Sequence, residues 1–291
     1  MNMSNDADLL KQVTVVLVTF HSAHCLPALD NLLAHCPHVV ISDNGSTDGT
    51  PGQARASWPQ ATVLEHGRNL GFGAANNRAI AVAKTPFVFL VNPDCEVTPD
   101  GLRELVRAAQ AMPDAAIVAP QLEGTPGKPD VNYRWPSTAW ASRGPGADGP
   151  ACVGFVVGAA MLFRLSRFEG IGFFDERFFL YYEDDDLCLR LFQNGRPIVV
   201  WPGVAAVHRA RGSVKGKTPW KSEYLRGYHH AQSKLIYTAK HRSHEQARRQ
   251  RWSVLLGTTV ALPLRAIAWS PRLLARMAGR WMGLVQWRQR D

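Results

Sequence analysis

What most constrains this chain is a unit repeated through its first 120 residues: a short apolar run, a polar loop rich in Asp, Asn, Thr and Gly, then a helical stretch. The apolar runs are residues 13–20, 39–41, 62–64, 87–91 and 117–119. Runs that are β-branched and apolar at every position, rather than at alternate ones, belong to strands buried on both faces. Strands alternating with helices at this spacing predict an α/β fold on a mostly parallel sheet with helices on both faces. Ligands in such sheets bind beyond the carboxyl ends of the strands. The loops at 42–49, 69–73 and 92–94 are therefore expected to gather on one edge as a polar site.

Charge narrows the class further. The net charge is +9, yet residues 240–291 alone hold eleven Lys/Arg against two Asp/Glu, and residues 1–239 balance at 22 and 22. Basicity is thus a property of the tail, and no nucleic-acid partner is expected. Five scattered cysteines with no C-x-x-C pair fit neither a disulfide framework nor a zinc site, and suit a reducing cytosol. Residues 1–12 are polar, with Asp6 and Asp8, unlike a secretory signal. The longest apolar run of the tail, 253–264, contains Pro263 and falls short of the roughly 20 residues a membrane span needs. Trp252, Trp269, Trp281 and Trp287 interleave with arginines there, a pattern expected of helices lying on an anionic membrane surface.

Residues 178–190 place Glu183, Asp184, Asp185 and Asp186 behind an aromatic run and ahead of an apolar helical pattern. Four adjacent carboxylates repel one another. A helix N-terminus offsets part of that cost, and a cation or a proton-transfer role would account for the remainder. The plain alternative is a solvated cap with Asp186 and Arg190 as an i,i+4 surface pair. Around this run, residues 124–150 read as an irregular loop and 153–163 as a strand with small residues for a close approach. Strands are expected near 198–201 and 204–208. Residues 209–221 form a basic loop with Arg209, Arg211, Lys215, Lys217 and Lys221.

Strand-end acids, amide loops and a basic loop suit a nucleotide-sugar. Asp43 can accept the imide N–H of a uracil or thymine beside the backbone of residues 18–20, though Asp-Asn-Gly-Ser is also ordinary turn chemistry. Asp94 can hold a divalent cation on a diphosphate, and His208 with the basic loop can reach the same group.

In order, Val18-Thr19-Phe20, Asp43-Asn44-Gly45-Ser46-Thr47-Asp48, Asn69-Leu70-Gly71-Phe72-Gly73-Ala74-Ala75-Asn76, Asn92-Pro93-Asp94, Gly158-Ala159-Ala160-Met161 and Tyr182-Glu183-Asp184 through Arg190 resemble the family 2 glycosyltransferases of the GT-A (Rossmann-like) fold, and most of all their bacterial rhamnosyltransferase branch. The resemblance runs over about residues 13–213. It implies that Thr19, Phe20, Asp43, Asn69, Gly71, Phe72, Asn76 and Asn92 line the nucleotide-sugar pocket, with Arg209 and Arg211 reaching the phosphates. It makes Asp94 the metal carboxylate, with His208 near the diphosphate and metal, and Mg2+ or Mn2+ the cofactor. Of the Glu183-Asp184 pair, the aspartate would be the general base on the acceptor hydroxyl, in an inverting single displacement.

The chain departs from that pattern twice. Asn92 stands where an Asp-x-Asp motif has its first acid, which implies a loosely held cation. Asp185 follows the Glu-Asp pair, so the base is Asp184 or Asp185, with the register favouring Asp184. The absence of Gln-x-x-Arg-Trp argues against a processive synthase. The expected organisation is a GT-A domain over 1–217 and a basic helical extension over 218–291. The expected function is transfer of a sugar, rhamnose from dTDP-rhamnose by resemblance, to a glycan or lipid-linked acceptor on the inner face of the cytoplasmic membrane. A UDP-hexose or UDP-N-acetylhexosamine donor is the near alternative. A nucleotidyltransferase would want a Gly-rich loop where His21-Ser22-Ala23-His24 stands, and a membrane-binding adaptor leaves the strand-end acids unexplained.

Overall fold

The structure, a computed structural model, describes residues 9–131, 133–134, 146–209, 219–267 and 270–288. These fall into two compact units, one within Met1–Phe174 and Asp184–Ser213, the other within Asp175–Glu183 and Val214–Asp291. The chain therefore passes between units at the aromatic run that precedes the acids.

The first unit is built on β1 (Val13–Thr19), β2 (Val39–Asp43), β3 (Thr62–Glu65), β4 (Phe87–Val91), β5 (Cys95–Glu96), β6 (Ile117–Thr125), β7 (Lys128–Pro129), β8 (Ala151–Val153), β9 (Ala160–Arg164) and β10 (Ile198–His208). Its helices are α1 (Asp30–Leu33), α2 (Thr50–Ser57), α3 (Phe72–Ile80), α4 (Pro99–Ala111) and α5 (Glu183–Gln193), whose first residue belongs to the other unit. The sheet runs β3-β2-β1-β4-β9-β6-β10-β5, with β7 on β6 and β8 on β10. From β3 to β4 it is parallel throughout, as the uniformly apolar runs predict. β9 then enters antiparallel between β4 and β6, and β6 and β10 resume parallel pairing.

Two expectations need adjustment. Residues 153–163 are not one strand: β8 ends at Val153, β9 begins at Ala160, and residues 154–159 between them lie outside both. The strands expected near 198–201 and 204–208 are one, β10, with its register shifted between Trp201 and Ala205. That shift lets β10 continue to His208, opposite Cys95 on β5. Every side chain of β4 is buried, and apolar clusters lie on both faces of the sheet, Phe89 and Val91 belonging to one and Val88 and Leu90 to the other. Thr98 caps α4, its hydroxyl accepting from Gly101 N–H at 3.0 Å with Pro99 at the first helical position.

The second unit carries α6 (Pro219–His241), α7 (His244–Ile267) and α8 (Pro271–Val285). α6 and α8 meet backbone to backbone. A Cβ on Gly227 would stand 1.9 Å from the Arg276 carbonyl oxygen, and one on Gly279 1.9 Å from that of Tyr224. Ala231, Leu235, Ala247, Leu284 and Trp287 form the core of this unit. The Arg251 guanidinium donates to the Leu284 and Val285 carbonyls at 2.7 and 3.0 Å, closing the C-terminal end of α8. Segment 175–183 joins these helices: Phe179 stacks on His229, Ser233 donates to the Leu180 carbonyl at 2.9 Å, and Asp175 pairs with Lys240 at 2.7 Å.

Among the described residues the tail tryptophans do not share one exposed face. Trp287 is buried and Trp281 donates to Thr259 at 2.9 Å, while Trp252 is exposed and Trp269 lies outside the described residues. The exposed apolar face runs instead along α7: Trp252, Leu256, Val260 and Leu264, each at least 60% exposed and four residues apart. Among the described residues no helix is long and apolar enough to cross a membrane.

Candidate active site

Three loops of the first unit converge on one short segment, Gly158-Ala159. The Ala159 carbonyl accepts from Asn92 N–H at 2.9 Å, which anchors the loop after β4. Gly158 N–H donates to Asp184 Oδ2 at 3.1 Å, which anchors the start of α5. A Cβ on Gly158 would lie 3.4 Å from the Phe72 ring, so the N-terminus of α3 packs against the same peptide. Sequence positions 72, 92, 158 and 184 are thereby brought together.

Asp184 is a strongly perturbed acid there. Its carboxylate accepts from Gly158 N–H and from Asp185 N–H at 2.9 Å. Burial, and after it the charge of Asp185, raises its pKa from 3.8 to about 6, partly opposed by those two hydrogen bonds. Asp185 is differently placed: Arg134 Nη1 donates to its Oδ1 at 2.6 Å, and the same guanidinium lies 4.0 Å over the Phe155 ring. Asp185 is thus engaged by a cation. Asp186 is not the surface partner of the plain alternative. It is fully buried, accepts from Arg190 Nε at 2.9 Å, and Arg190 also donates to the carbonyls of Ile171, Gly172 and Phe173. This ion pair fastens the 171–173 turn to α5. Glu183 is buried at the start of the helix.

Asp94 and His208 come together because β5 pairs with the end of β10. His208 Nε2 lies 3.6 Å from Asp94 Oδ1, and the Asp94 side chain is 5% exposed. Among the described residues no group of three His, Cys, Asp or Glu side chains is placed to hold a metal. A carboxylate and an imidazole fit a Mg2+ or Mn2+ that takes its remaining ligands from substrate phosphates and water. Arg209 is 65% exposed and pairs with Glu96 at 2.8 Å, while Arg211 and the rest of 210–218 lie outside the described residues.

The β1 and β2 ends form a hydrogen-bonded loop pair. Asp43 is buried and its carboxylate accepts four hydrogen bonds: from Thr19 Oγ1 at 2.8 Å, Ser46 Oγ at 2.6 Å, Ser46 N at 2.8 Å and Gly45 N at 3.1 Å. It therefore has the turn-building role, and a base imide N–H would have to share an oxygen already in use. Gly45 is required here: its φ is +79°, and a Cβ would stand 2.8 Å from the Arg68 backbone nitrogen. Asn44 joins this turn to the next loop, donating to the Gly71 carbonyl at 3.2 Å and accepting from Leu70 N–H at 3.2 Å. Asn69 closes a turn onto Gly71 N–H at 2.9 Å, and Asn76 donates to the Phe72 carbonyl at 3.0 Å. Phe20 is 44% exposed, its ring 4.3 Å from that of His21, so the rim of this edge carries a free aromatic face.

Sequence reasoning missed two residues. Arg134 lay inside the 124–150 stretch, and nothing local marks it as the partner of an acid 51 positions away. Asn44 holds two loops together, and its place in a turn motif gave no hint of that.

The raised Asp184 pKa has a consequence for stability. The folded chain holds this proton more tightly than the unfolded chain, so the carboxyl favours the fold below about pH 4, and that contribution is lost as pH rises through about 6. The displacement is worth about 3 kcal/mol at most. Asp184→Asn is therefore expected to raise stability at pH 7 by about 1–3 kcal/mol and to flatten its dependence between pH 4 and 7. Urea unfolding at several pH values measures this, and a loss of stability at pH 7 would show that the two lost acceptor geometries outweigh burial.

With this geometry in view, the comparisons with known proteins carry weight. The family model described as "Glycosyl transferase family 2" matches residues 14–169. The N-acetylglucosaminyl-diphospho-decaprenol L-rhamnosyltransferase of Mycobacterium tuberculosis is 31% identical, over 82% of this chain and 88% of its own. The low-salt glycan biosynthesis hexosyltransferase Agl10 of Haloferax volcanii is 26% identical, over 69% of this chain and 68% of its own. Among solved structures, the mannosyltransferase PcManGT of Pyrobaculum calidifontis, in complex with GDP-Man and Mn2+, superposes with a TM-score of 0.57 at 16% identity, over 94% of this chain and 86% of that one. The fold is GT-A, and the chain belongs to the family 2 glycosyltransferases.

Proposed function

We propose that this glycosyltransferase is an inverting, non-processive enzyme that moves a deoxysugar, rhamnose from dTDP-rhamnose, onto a lipid-linked acceptor in cell-surface polysaccharide synthesis. The observation that carries the mechanism is Asp184: a carboxyl with its pKa raised to about 6, held by the Gly158 amide in the unit that also contains Asp94 and His208. A base with that pKa is ionised at neutral pH yet still accepts a proton readily. Asp184 takes the proton of the acceptor hydroxyl, whose oxygen bonds to the anomeric carbon as the bond from that carbon to the diphosphate breaks. The electron pair of the broken bond leaves with the diphosphate. A divalent cation bound by Asp94 and His208 would neutralise the charge of that leaving group. Its two protein ligands are consistent with weak binding in the absence of nucleotide.

Asp184 is favoured over Asp185 as the base because Arg134 engages Asp185. A carboxylate oxygen occupied by a guanidinium is less open to an acceptor hydroxyl. The exposed Phe20 face and the Asn69, Gly71, Phe72 and Asn76 loop are assigned to the nucleotide, with Thr19 and Asp43 holding the floor beneath it. Asn92 positions the loop through its backbone, and Arg209 faces the phosphates from the rim. Rhamnose and a lipid diphosphate acceptor rest on the likeness to the mycobacterial rhamnosyltransferase, which is named for both. A UDP-hexose donor is the alternative on the same fold.

The tail is assigned to an anionic lipid surface at the inner face of the cytoplasmic membrane. The α7 face of Trp252, Leu256, Val260 and Leu264 supplies the apolar stripe, and Arg248, Arg249 and Arg251 stand at one end of it with Arg265 at the other.

Two measurements test this. Thermal shift with dTDP, UDP and GDP, with and without Mn2+, is expected to show stabilisation of about 2.7 kcal/mol by the true nucleotide at 100 times its Kd. Asp184→Asn is expected to keep that shift and lose transfer by at least about 100-fold; an active Asp184→Asn beside a dead Asp185→Asn would reassign the base, and no shift with any nucleotide would defeat the reading. For the tail, Leu256→Asp with Val260→Asp is expected to lower binding to phosphatidylglycerol vesicles severalfold, in a salt-dependent background. Unchanged vesicle binding would return α7 to a packing role.

A further inference from the structure

The second unit contains a cavity of about 180 Å3 lined by Tyr181, Arg226, Gly227, His230, Arg276 and Arg280. A water in the liquid occupies about 30 Å3, so the space suits a group several waters in size. Its charge is poorly balanced. Glu223 lies 3.4 Å from Arg226 and 3.2 Å from Arg276, so one carboxylate serves two guanidiniums. Arg280 has no ion pair among the described residues, and its side chain is exposed. Glu183 also acts on Tyr181, so three guanidiniums stand against two carboxylates and leave about one positive charge at this small space. Such an arrangement is costly unless an anion offsets it.

The position of these arginines is imposed by the helix packing. Arg226 precedes Gly227, and Arg276 supplies the carbonyl that a Cβ on Gly227 would strike at 1.9 Å. Any side chain at Gly227 would push α6 and α8 apart and open the cluster. The remaining wall is a strained turn. Tyr181 and Tyr182 have φ of +70° and +68°, a conformation that bulky residues avoid and that persists where neighbours enforce it. Their rings pack edge-on against His230 at 5.7 and 5.4 Å. Burial lowers the His230 pKa, and Arg280, Lys234 and Arg276 lower it further, so the ring adds no charge of its own. Burial raises the Tyr181 pKa, opposed by Arg226 and Arg276 and aided by Glu183 and Glu223, which keeps its hydroxyl a neutral donor. A phosphate group would thus meet guanidinium forks, a phenol and an imidazole, the donor set that suits its oxygens.

We propose that this cavity binds the diphosphate of the lipid-linked acceptor, anchoring it by Arg226, Arg276 and Arg280. The assignment rests on the acceptor class proposed above. A diphosphate carries the charge that the cluster lacks, and it lies at the same short covalent distance from the first acceptor sugar in every such lipid. The site would therefore read the acceptor's anchor and leave the sugar to other residues.

The test is calorimetric titration of the full chain with inorganic pyrophosphate and with farnesyl diphosphate, in EDTA and with the nucleoside diphosphate that binds the donor site present at saturation. Arg280→Gln, at an exposed position with no ion pair among the described residues, and the double variant Arg276→Gln/Arg280→Gln are compared with wild type. Both probes are expected to bind wild type, with Kd raised about fivefold in the single variant and at least tenfold in the double. The acceptor KM should rise in parallel while the nucleotide thermal shift stays unchanged. Pyrophosphate and farnesyl diphosphate affinities within twofold of wild type in the double variant would overturn the site. So would variants that lose binding to phosphatidylglycerol vesicles but not to either diphosphate, since the cluster would then be reading headgroups. Absence of a nucleotide shift in wild type counts against the transferase reading and not against the arginine cluster, so the two failures are distinguishable.

Discussion

Two consecutive residues, Gly158 and Ala159, hold the first unit's candidate site in register through an N–H and a carbonyl. One accepts from the loop after β4 and the other donates to Asp184 at the start of α5. Both hydrogen bonds follow from β9 running antiparallel beside β4, which sets Ala160 opposite Val91 and delivers the preceding residues to the strand end. The Phe72 ring lies against the same segment, 3.4 Å from where a Cβ on residue 158 would stand.

Given that frame, electrostatics divides the labour among four adjacent acids. Asp186 is consumed by Arg190 in a buried pair that ties down the 171–173 carbonyls. Asp185 is held by Arg134. Asp184 receives two backbone N–H groups and, among the described residues, no cation, and burial pushes its pKa toward neutrality. Each acid is thereby given different partners by its surroundings, which is how neighbouring carboxyls acquire different roles. Glu183, on the other side, belongs with the aromatic turn and the helices of the second unit.

Much of this was legible in the sequence, and the parts that were not share a cause. The parallel half of the sheet is written in its apolar runs, because β1, β2 and β4 are covered on both faces, while β3 at the edge is partly exposed. The strand-end loops follow from the same runs. The placement of β9 is not written locally, since antiparallel insertion depends on which edges β4 and β6 leave open. The partnership of Arg134 with Asp185 is likewise long-range, and an arginine in a Gly- and Pro-rich stretch carries no local mark of it. For Asp43, turn chemistry and base recognition were both readable from Asp-Asn-Gly-Ser, and four donors on its carboxylate favour the turn. In the tail, arginine and tryptophan content suggested a lipid-facing surface, but burial of Trp287 and the close approach at Gly227 and Gly279 depend on how α6 and α8 pack.

The central claim is that Asp184 works as a base whose proton affinity is set by burial and by the neighbouring Asp185. The most direct measurement is the pH dependence of the transfer rate in wild type and in Arg134→Gln. Wild type should lose activity on the acid side with an apparent pKa near 6. Removing Arg134 leaves the Asp185 charge uncompensated, so the acid limb should move to higher pH by about half a unit or more. An acid limb that stays near the ordinary carboxylate range, or one that Arg134→Gln leaves in place, would contradict the assignment.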